Sequence, residues 1–470
     1  MYVRSLKIKG FRGFANEQTL KLALPNGQIG SGLTILVGPN SGGKSTVVEA
    51  VDSLFSPNST ISFAEGKRNA KSNERVSIYA ELEDGSTHVL RTADAGGSET
   101  IREPGAYPQV DCYFLPSRRF FNPYFNSGTE SREGYVRIQS VGTTRSNPIN
   151  RFSYRLFAIN QKRREFDKVL SRVMDPVPDW TIEQSNQGNY YLKLNTAGQS
   201  HDSDGLGDGI ISLLFIIDAL YDSTDSDLIV VDEPELSLHP QYQRRLLRLF
   251  AEYARNMQIV YSTHSPYFVD VKHILNGATV ARVHKVDGFS TINQLSDHSA
   301  KDLDVFLTDI QNPHVLGITA REALFQEDGM IVVEGQEDVV LYPKILEQLV
   351  TNDLLDAKLA DCMNERFFGW GAGGADKIER ILSLLRDLGF QHVAVIVDKN
   401  KEDELPALKC KFEPFRFGSI PADDVRSKSR NSSQTSALGL LDENRALRQQ
   451  FVTETARLFT SIGEYVSSKV

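Results

Sequence analysis

Short apolar runs recur along the first half of the chain with the spacing of a layered α/β fold. Residues 1–14 and 19–24 alternate apolar with basic or polar positions and predict two strands joined by a turn. GLTILV (32–37) is apolar throughout, the pattern of a short buried strand, and it runs into GPNSGGKST and then the helix TVVEAVDSLF. ERVSIYAELEDGSTHVLRT (74–92) predicts a hairpin with Asp84-Gly85 at its turn. Residues 179–195 read as a further strand pair. The glycine- and aspartate-rich loop HDSDGLGDG (201–209) leads into the apolar helix IISLLFIIDALY. The strand LIVVDEP, the amphipathic helix QYQRRLLRLFAEYA and the strand QIVYSTHSP follow in turn.

Between about 290 and 328 the pattern becomes irregular and acidic, which predicts a linker over 296–328. A second α/β series succeeds it. Strand MIVVEG precedes helix DVVLYPKILEQLV, strand RFFGWG precedes helix DKIERILSLLRDLG, and strand HVAVIVD precedes the charged loop NKEDE. Strand FEPFRFGSI comes last. Residues 427–437 are serine-rich, and the tail predicts a helix with Leu447, Phe451, Leu458, Ile462 and Val466 on one face.

Length and charge narrow the class. The 470 residues are enough for two or three domains with buried cores, and 40% hydrophobic with 24% charged residues is ordinary globular usage. The net charge of −9 gives no overall basic balance for nucleic acid, but segment 131–172 holds ten Lys/Arg against three Asp/Glu. Three cysteines without paired spacing argue against a disulfide framework or cysteine zinc site and fit a reducing cytoplasm. The N-terminus reads as a strand rather than a signal peptide, and no apolar run approaches the ~18 residues of a membrane span.

GPNSGGKST (38–46) fits the phosphate-binding loop G-x-x-x-x-G-K-[ST], placed between a strand and a helix as that motif requires. Its backbone N–H groups, from Asn40, Ser41, Gly42, Gly43 and Thr46, can curl around phosphate oxygens, helped by the helix N-terminus. Lys44 reaches the β- and γ-phosphates, and the Ser45 hydroxyl coordinates Mg²⁺. In LIVVDEPE (228–235), Asp232 at the strand end holds Mg²⁺ through water and Glu233 orients or deprotonates the attacking water. His264, after the next strand, is placed to sense the γ-phosphate.

These motifs, with VDEPELSLHP and STHSP, resemble the ATP-binding-cassette ATPases of the RecF/SMC/Rad50 group over roughly residues 1–290. The resemblance implies ATP bound between two heads. The signature loop would be SDGLGDGI (203–210), with Ser203, Gly205 and Gly207 as γ-phosphate contacts, although its wording departs from LSGGQ. Residues 236–240 would lie at the head–head interface, so function implies at least a dimer.

Two readings of segment 131–172 stand side by side: a solvated helical arm, or a phosphate-contacting surface with Tyr135, Phe152, Tyr154 and Phe157 for packing or base stacking. Arg118 and Arg119 either join that surface or sense nucleotide.

The second series lacks a P-loop but ends two strands on acids, Glu334 and Asp398. In a parallel sheet these ends share one edge, and Asp338 lies one helical turn beyond Glu334. Such oxygen ligands suit Mg²⁺ or Mn²⁺ and phosphodiester chemistry; equally, each acid can simply cap the following helix. VVEGQEDVVLYP resembles the Toprim start of OLD-family ATP-dependent nucleases (VEG-x-x-E-v-x-x-x-P), on Glu334, Gly335, Asp338 and Pro343. GAGG, VIVDKN and IPADDVR resemble the family's later segments. Asn400 stands where the second acid of D-x-D is expected, with Glu402, Asp403 or Glu404 as substitutes in the same loop, and Lys428 is the candidate basic residue.

The resemblance implies an α/β chain with an ABC-type P-loop ATPase domain and a smaller Toprim domain with a parallel sheet. The expected boundaries are 1–295 for the ATPase, with a basic helical insertion near 131–175, then the 296–328 linker, Toprim over 329–430, and a C-terminal loop and helix over 431–470. OLD-family proteins are bacterial and phage nucleases, several of them anti-phage effectors, including Gabija-type and retron-linked systems. The implied activity is ATP-regulated, metal-dependent DNA cleavage in the cytoplasm by a head-to-head dimer or higher oligomer. A defence-system protein or nucleoprotein is the implied further partner, with no membrane. Glu233, His264, Glu334, Asp338 and Asp398 are its catalytic residues, and Ser45, Asp232, Glu334, Asp338, Asp398 and Asn400 its metal ligands. The alternative is a RecF-like DNA-binding ATPase whose degenerate Toprim domain is non-catalytic and docks a partner.

Overall fold

The computed structural model describes the chain except residues 56–61, 64–65, 73–74, 95–97, 106–109, 120, 123–124, 139–148, 150–151, 197–198, 203–206, 226, 309–320, 322, 327, 370, 428–437 and 469–470. It forms two compact units, Met1–Ile292 and Asn293–Val470.

The alternating N-terminal residues become β1 (Val3–Lys9) and β2 (Gln18–Lys21), and the all-apolar run becomes β3 (Leu33–Val37), every residue buried. The P-loop hands the chain to α1 (Lys44–Phe55). The hairpin is β4 (Ser77–Leu82) and β5 (Thr87–Thr92), followed by β6 (Thr100–Glu103) and β7 (Cys112–Leu115). Next come α2 (Arg132–Ile138), α3 (Phe152–Gln161), α4 (Arg163–Leu170), and the antiparallel set β8 (Asp179–Gln184), β9 (Tyr190–Thr196) and β10 (Gln199–Asp202). The unit closes with α5 (Asp208–Tyr221), β11 (Leu228–Asp232), α6 (Pro240–Tyr253), β12 (Gln258–Ser262), α7 (Val271–Leu275), β13 (Thr279–Val286) and β14 (Phe289–Gln294), the last reaching just past the division.

Two larger sheets organise this unit. One is antiparallel in the order β2-β1-β4-β5-β6; the other runs β14-β13-β3-β12-β11-β7, parallel from β13 to β7. Helix α1 packs on strands of both, and Val47, Val48, Val51 and Leu54 fill the shared core. Buried Gln258 also ties them: its side chain accepts from Val3 N at 2.7 Å and donates to Val3 O and Ala23 O at 2.8 and 2.9 Å. A buried amide meeting backbone groups on both sides sets the register between layers at little desolvation cost.

Several described residues of the basic segment are engaged within the protein, whereas Lys162, Arg164 and Lys168 are exposed. Arg155 is 2% exposed and donates to Asp218 Oδ1 at 2.8 Å and Asp222 Oδ2 at 2.7 Å, both at the end of α5. Arg132 pairs with Asp227, Arg163 with Asp167 and Asp179, and Arg172 with Glu252. Tyr135 and Phe152 are fully buried, and Phe152 stacks on Phe215 of α5. Arg155 and Arg132 are thus neutralised by buried acids, while the pairs of Arg163 and Arg172 lie nearer the surface. Sequence shows charge but not the distant acids that answer it.

In the second unit, α8 (Asp297–Thr308) occupies the expected linker, and the Ser296 hydroxyl ahead of it donates to Asp387 Oδ2 at 2.6 Å. Strands β15 (Met330–Val333), β16 (Val393–Val397) and β17 (Arg416–Ser419) form a parallel sheet in that order. Between β15 and β16 run α9 (Gln336–Thr351), α10 (Ala357–Asn364) and α11 (Ala375–Asp387); α12 (Leu405–Lys411) precedes β17. RFFGWG, expected as a strand, contributes only isolated bridges, one from Phe367 to Ile331. Short strands β18 (Asp424–Arg426) and β19 (Gly439–Leu441) pair in parallel.

The final helix, α13 (Val452–Ser467), lies against β16, β17 and α10. Its buried face is Ala456, Phe459, Ile462 and Val466; Leu447 and Phe451 precede the helix and do not extend that face. No helix among the described residues is long and apolar enough to cross a membrane.

Candidate functional site

The ends of β3, β11 and β12 lie side by side, because the parallel register matches Val230 with Val260 and Val260 with Thr34. The carboxyl ends of these three strands therefore share the edge that carries the P-loop. Gly43 has φ +118°, and a Cβ there would stand 2.7 Å from Ser290 Oγ, so the loop needs glycine at that point. Asn40 and Ser41 lie at the exposed rim, Gly42 is buried, and Ser45 and Thr46 sit half-buried in the first turn of α1.

Lys44 Nζ donates to Gly38 O and Pro39 O, each at 2.9 Å, and so caps the loop. Burial lowers its pKa to about 8 against the opposing pull of Glu233, Asp232 and Glu235. The Ser45 hydroxyl donates to Asp232 Oδ1 at 3.2 Å, and the Ser262 hydroxyl donates to the same oxygen. Hydroxyl and carboxylate from separate elements thus converge beside the lysine. This donor set of hard oxygens fits Mg²⁺.

Glu233 adopts φ +50°, uncommon for a non-glycine residue, and its amide is held by Ser262 O and Oγ at 3.0 and 3.1 Å. His264 Nε2 stands 3.8 Å from Glu233 Oε1, and burial followed by Lys44 lowers the imidazole pKa. The structure therefore brings Lys44, Ser45, Asp232, Glu233 and His264 together. Ser203, Gly205 and Lys428 lie outside the described residues.

Three residues of this region carried too little weight in the sequence. Ser262 anchors both Asp232 and Glu233. Glu235, beside the noted acids, accepts the His264 N–H at 2.6 Å, and burial raises its pKa to about 6. Arg119 is buried and donates to Ser212 Oγ and to the carbonyls of Pro116, Asp232 and Glu233, all within 2.9 Å. Four of its five N–H groups are committed there, to a hydroxyl and three backbone carbonyls.

The second acidic edge is built otherwise. Glu334 Oε1 accepts the Asp398 N–H at 2.8 Å across β15 and β16, and burial raises the Glu334 pKa, partly offset by that bond. Asp338 is buried and accepts the Gly335 N–H at 2.9 Å, closing the first turn of α9. Asp424 joins the set: with Asp338, Asp398 and Glu334 it acts on buried Tyr342, whose pKa rises through burial and then through these charges.

Asn400 is exposed, and its Nδ2 donates to Asp423 O at 2.9 Å. Glu404 pairs with Lys401 at 2.8 Å. Among the described residues, no three Asp, Glu, His or Cys groups converge closely enough to hold a metal ion. The donor type suits a hard cation and the spacing does not.

Comparison with known proteins adds to this geometry. A family model described as an AAA ATPase domain matches residues 1–171, and one described as an AAA domain, putative AbiEii toxin, Type IV TA system, matches residues 116–270. Both matched stretches lie in the first unit and agree with its P-loop. The OLD nuclease of Thermus scotoductus is 31% identical over 173 residues, covering 36% of this chain and 30% of that protein, so the chain spans under a third of this relative. The Septu protein PtuA of Bacillus thuringiensis is 22% identical over 305 residues, covering 58% of this chain and 74% of PtuA. Among solved structures, the SMC head domain from Thermotoga maritima aligns over 63% of this chain and all of that one, at 17% identity and TM-score 0.38. An SMC head bound to the C-terminal winged helix of ScpA aligns over 64% and 99%, at 15% identity and TM-score 0.43. The matches to OLD nuclease and PtuA, with the two ATPase-domain models, support an OLD-like ATPase class.

Proposed function

We propose that the chain is an ATP-regulated DNA endonuclease of the OLD type, acting in anti-phage defence, with the two acidic edges dividing the work. The carrying observation is the meeting of Glu334 with the Asp398 amide on one parallel-sheet edge, with Asp424 close by. The relatives named OLD nuclease and Septu protein support the same direction.

At the first edge, Lys44 and the loop N–H groups bind the phosphates of ATP. Ser45 and Asp232 would hold Mg²⁺, which would supply neutralisation of phosphate charge. Glu233 orients the attacking water, and His264 lies beside it toward the γ-phosphate. Residues 236–240 belong to a head–head contact, and exposed Leu236 fits that role. At the second edge, Glu334, Asp338 and Asp398 are the acids that face the phosphodiester, and among the described residues they do not converge into a three-ligand metal site.

The test is plasmid nicking with Mg²⁺ or Mn²⁺. Glu334→Ala abolishes nicking while ATP hydrolysis continues at the wild-type rate. No cleavage by the wild type with any metal, nucleotide or partner overturns the nuclease reading. A second reading, a DNA-binding ATPase whose acidic unit docks a partner, is favoured by Asn400, whose amide is engaged with Asp423 O. Under that reading DNA binding persists and nicking is absent.

A further inference from the structure

Arg119 occupies the junction of three elements. It follows β7, its Nε donates to Ser212 Oγ in α5 at 2.9 Å, and its Nη atoms donate to Pro116 O and Asp232 O at 2.7 Å and to Glu233 O at 2.9 Å. Both backbone carbonyls at the tip of β11 thus rest on one planar guanidinium. Burial lowers its pKa only to about 10, so it stays charged at neutral pH. A lysine there would supply a point charge rather than a fork able to meet several acceptors at fixed angles.

The position it holds is a demanding one. Glu233 stands at φ +50° and Ser237 at φ +60°, conformations that non-glycine residues adopt only when surrounding contacts impose them. Ser262 restrains the Glu233 amide, and Arg119 restrains its carbonyl. A second link runs to the same helix. In the first turn of α5, a Cβ on Gly209 would stand 2.4 Å from Ser237 O, so the helix start and the loop after Glu233 are in backbone contact. Helix α5 therefore touches the 232–238 loop twice: through Gly209 against Ser237, and through Ser212 by way of Arg119.

We propose that Arg119 is a positioning residue for ATP hydrolysis, fixing the backbone of Asp232 and Glu233 and coupling it to the first two turns of α5. The inference rests on the reading of Glu233 as the group that orients the attacking water. A displaced Glu233 would leave the phosphates bound by Lys44 and the loop amides while misplacing the water. Misplacement by about 1 Å is enough to cost about 10²-fold in rate.

The experiment compares full-length wild type, Lys44→Ala, Arg119→Lys and Ser212→Ala. Steady-state ATP hydrolysis is measured alongside the Kd for a fluorescent ATP analogue and the melting temperature. Arg119→Lys is expected to lower kcat by about 30- to 100-fold with Kd within about twofold of wild type. Ser212→Ala removes one arm of the coupling and is expected to lower kcat by about three- to tenfold, again with Kd unchanged.

If both variants fold, bind the analogue and hydrolyse ATP at the wild-type rate, the inference is overturned. The same holds if any loss of kcat is matched by an equal loss of affinity. If Arg119→Lys does not fold, Ser212→Ala decides alone by the same criteria. A wild type that does not hydrolyse ATP, or a Lys44→Ala that hydrolyses normally, overturns instead the underlying assignment of the site.

Discussion

Strands β11 and β15 are near-twins in sequence, LIVVDE and MIVVEG, and both end on carboxylates at the edge of a parallel sheet. Their company differs. Asp232 meets two hydroxyls, with Lys44 and Arg119 nearby, so a carboxylate there has cations and donors to balance it. Glu334 meets one backbone amide, Lys401 and further acids, and burial outweighs the amide and the lysine, so its ionised form is disfavoured. The first carboxylate is thus balanced by its surroundings, and the second is held where burial disfavours its charge. A shared local pattern acquires different electrostatic surroundings from elements far away in the chain.

Four experiments press on that contrast, from the largest effect down. Lys44→Ala removes the only side-chain cation placed in the P-loop, and nucleotide affinity should fall by about 10³-fold in equilibrium titration. Plasmid nicking by the same variant in the absence of ATP reports whether the second edge works independently. Glu233→Gln should slow single-turnover hydrolysis by about 10²- to 10³-fold while analogue affinity stays within about twofold. Equal loss of both would remove Glu233 from the water-orienting role.

The third experiment is a pH titration of nucleotide affinity. Free Lys44 has its pKa lowered to about 8, and bound phosphate must raise it, so binding takes up a proton above that pH. Affinity should hold below pH 8 and weaken by up to about tenfold per pH unit above it. A flat profile to about pH 9.5 would place the lysine elsewhere in the bound state.

The fourth concerns stability. Glu334 has a raised folded-state pKa, so its contribution favours the fold below the unfolded carboxylate value and is lost as pH rises through the folded one. Glu334→Gln should therefore raise the melting temperature slightly at about pH 7 and leave it unchanged at about pH 4. A lowered melting temperature at neutral pH would mean the acid serves the fold and not a cation.

Much of the fold and of the first site is legible in the sequence. The P-loop between an apolar strand and a helix, the DEPE and STHSP strand ends, and the α/β alternation after residue 329 are local patterns set by steric and hydrophobic periodicity. Local patterns mislead where the outcome depends on distant partners. Arg155 reads as surface charge until Asp218 and Asp222 close over it, and Phe152 reads as a stacking platform until Phe215 covers it. The 296–328 segment reads as a linker although α8 occupies its first part, over Asp297–Thr308.

By itself the chain's sequence determined which residues could bind phosphate and which strands would end on acids, because glycine placement and apolar runs act over a few neighbouring residues. Only the tertiary structure decided what those acids face. Parallel register aligned β3, β11 and β12, Arg119 drew two backbone carbonyls onto one guanidinium, and Asn400 turned to Asp423. Those outcomes follow from packing and hydrogen-bond satisfaction between segments far apart in the chain, which no local pattern records.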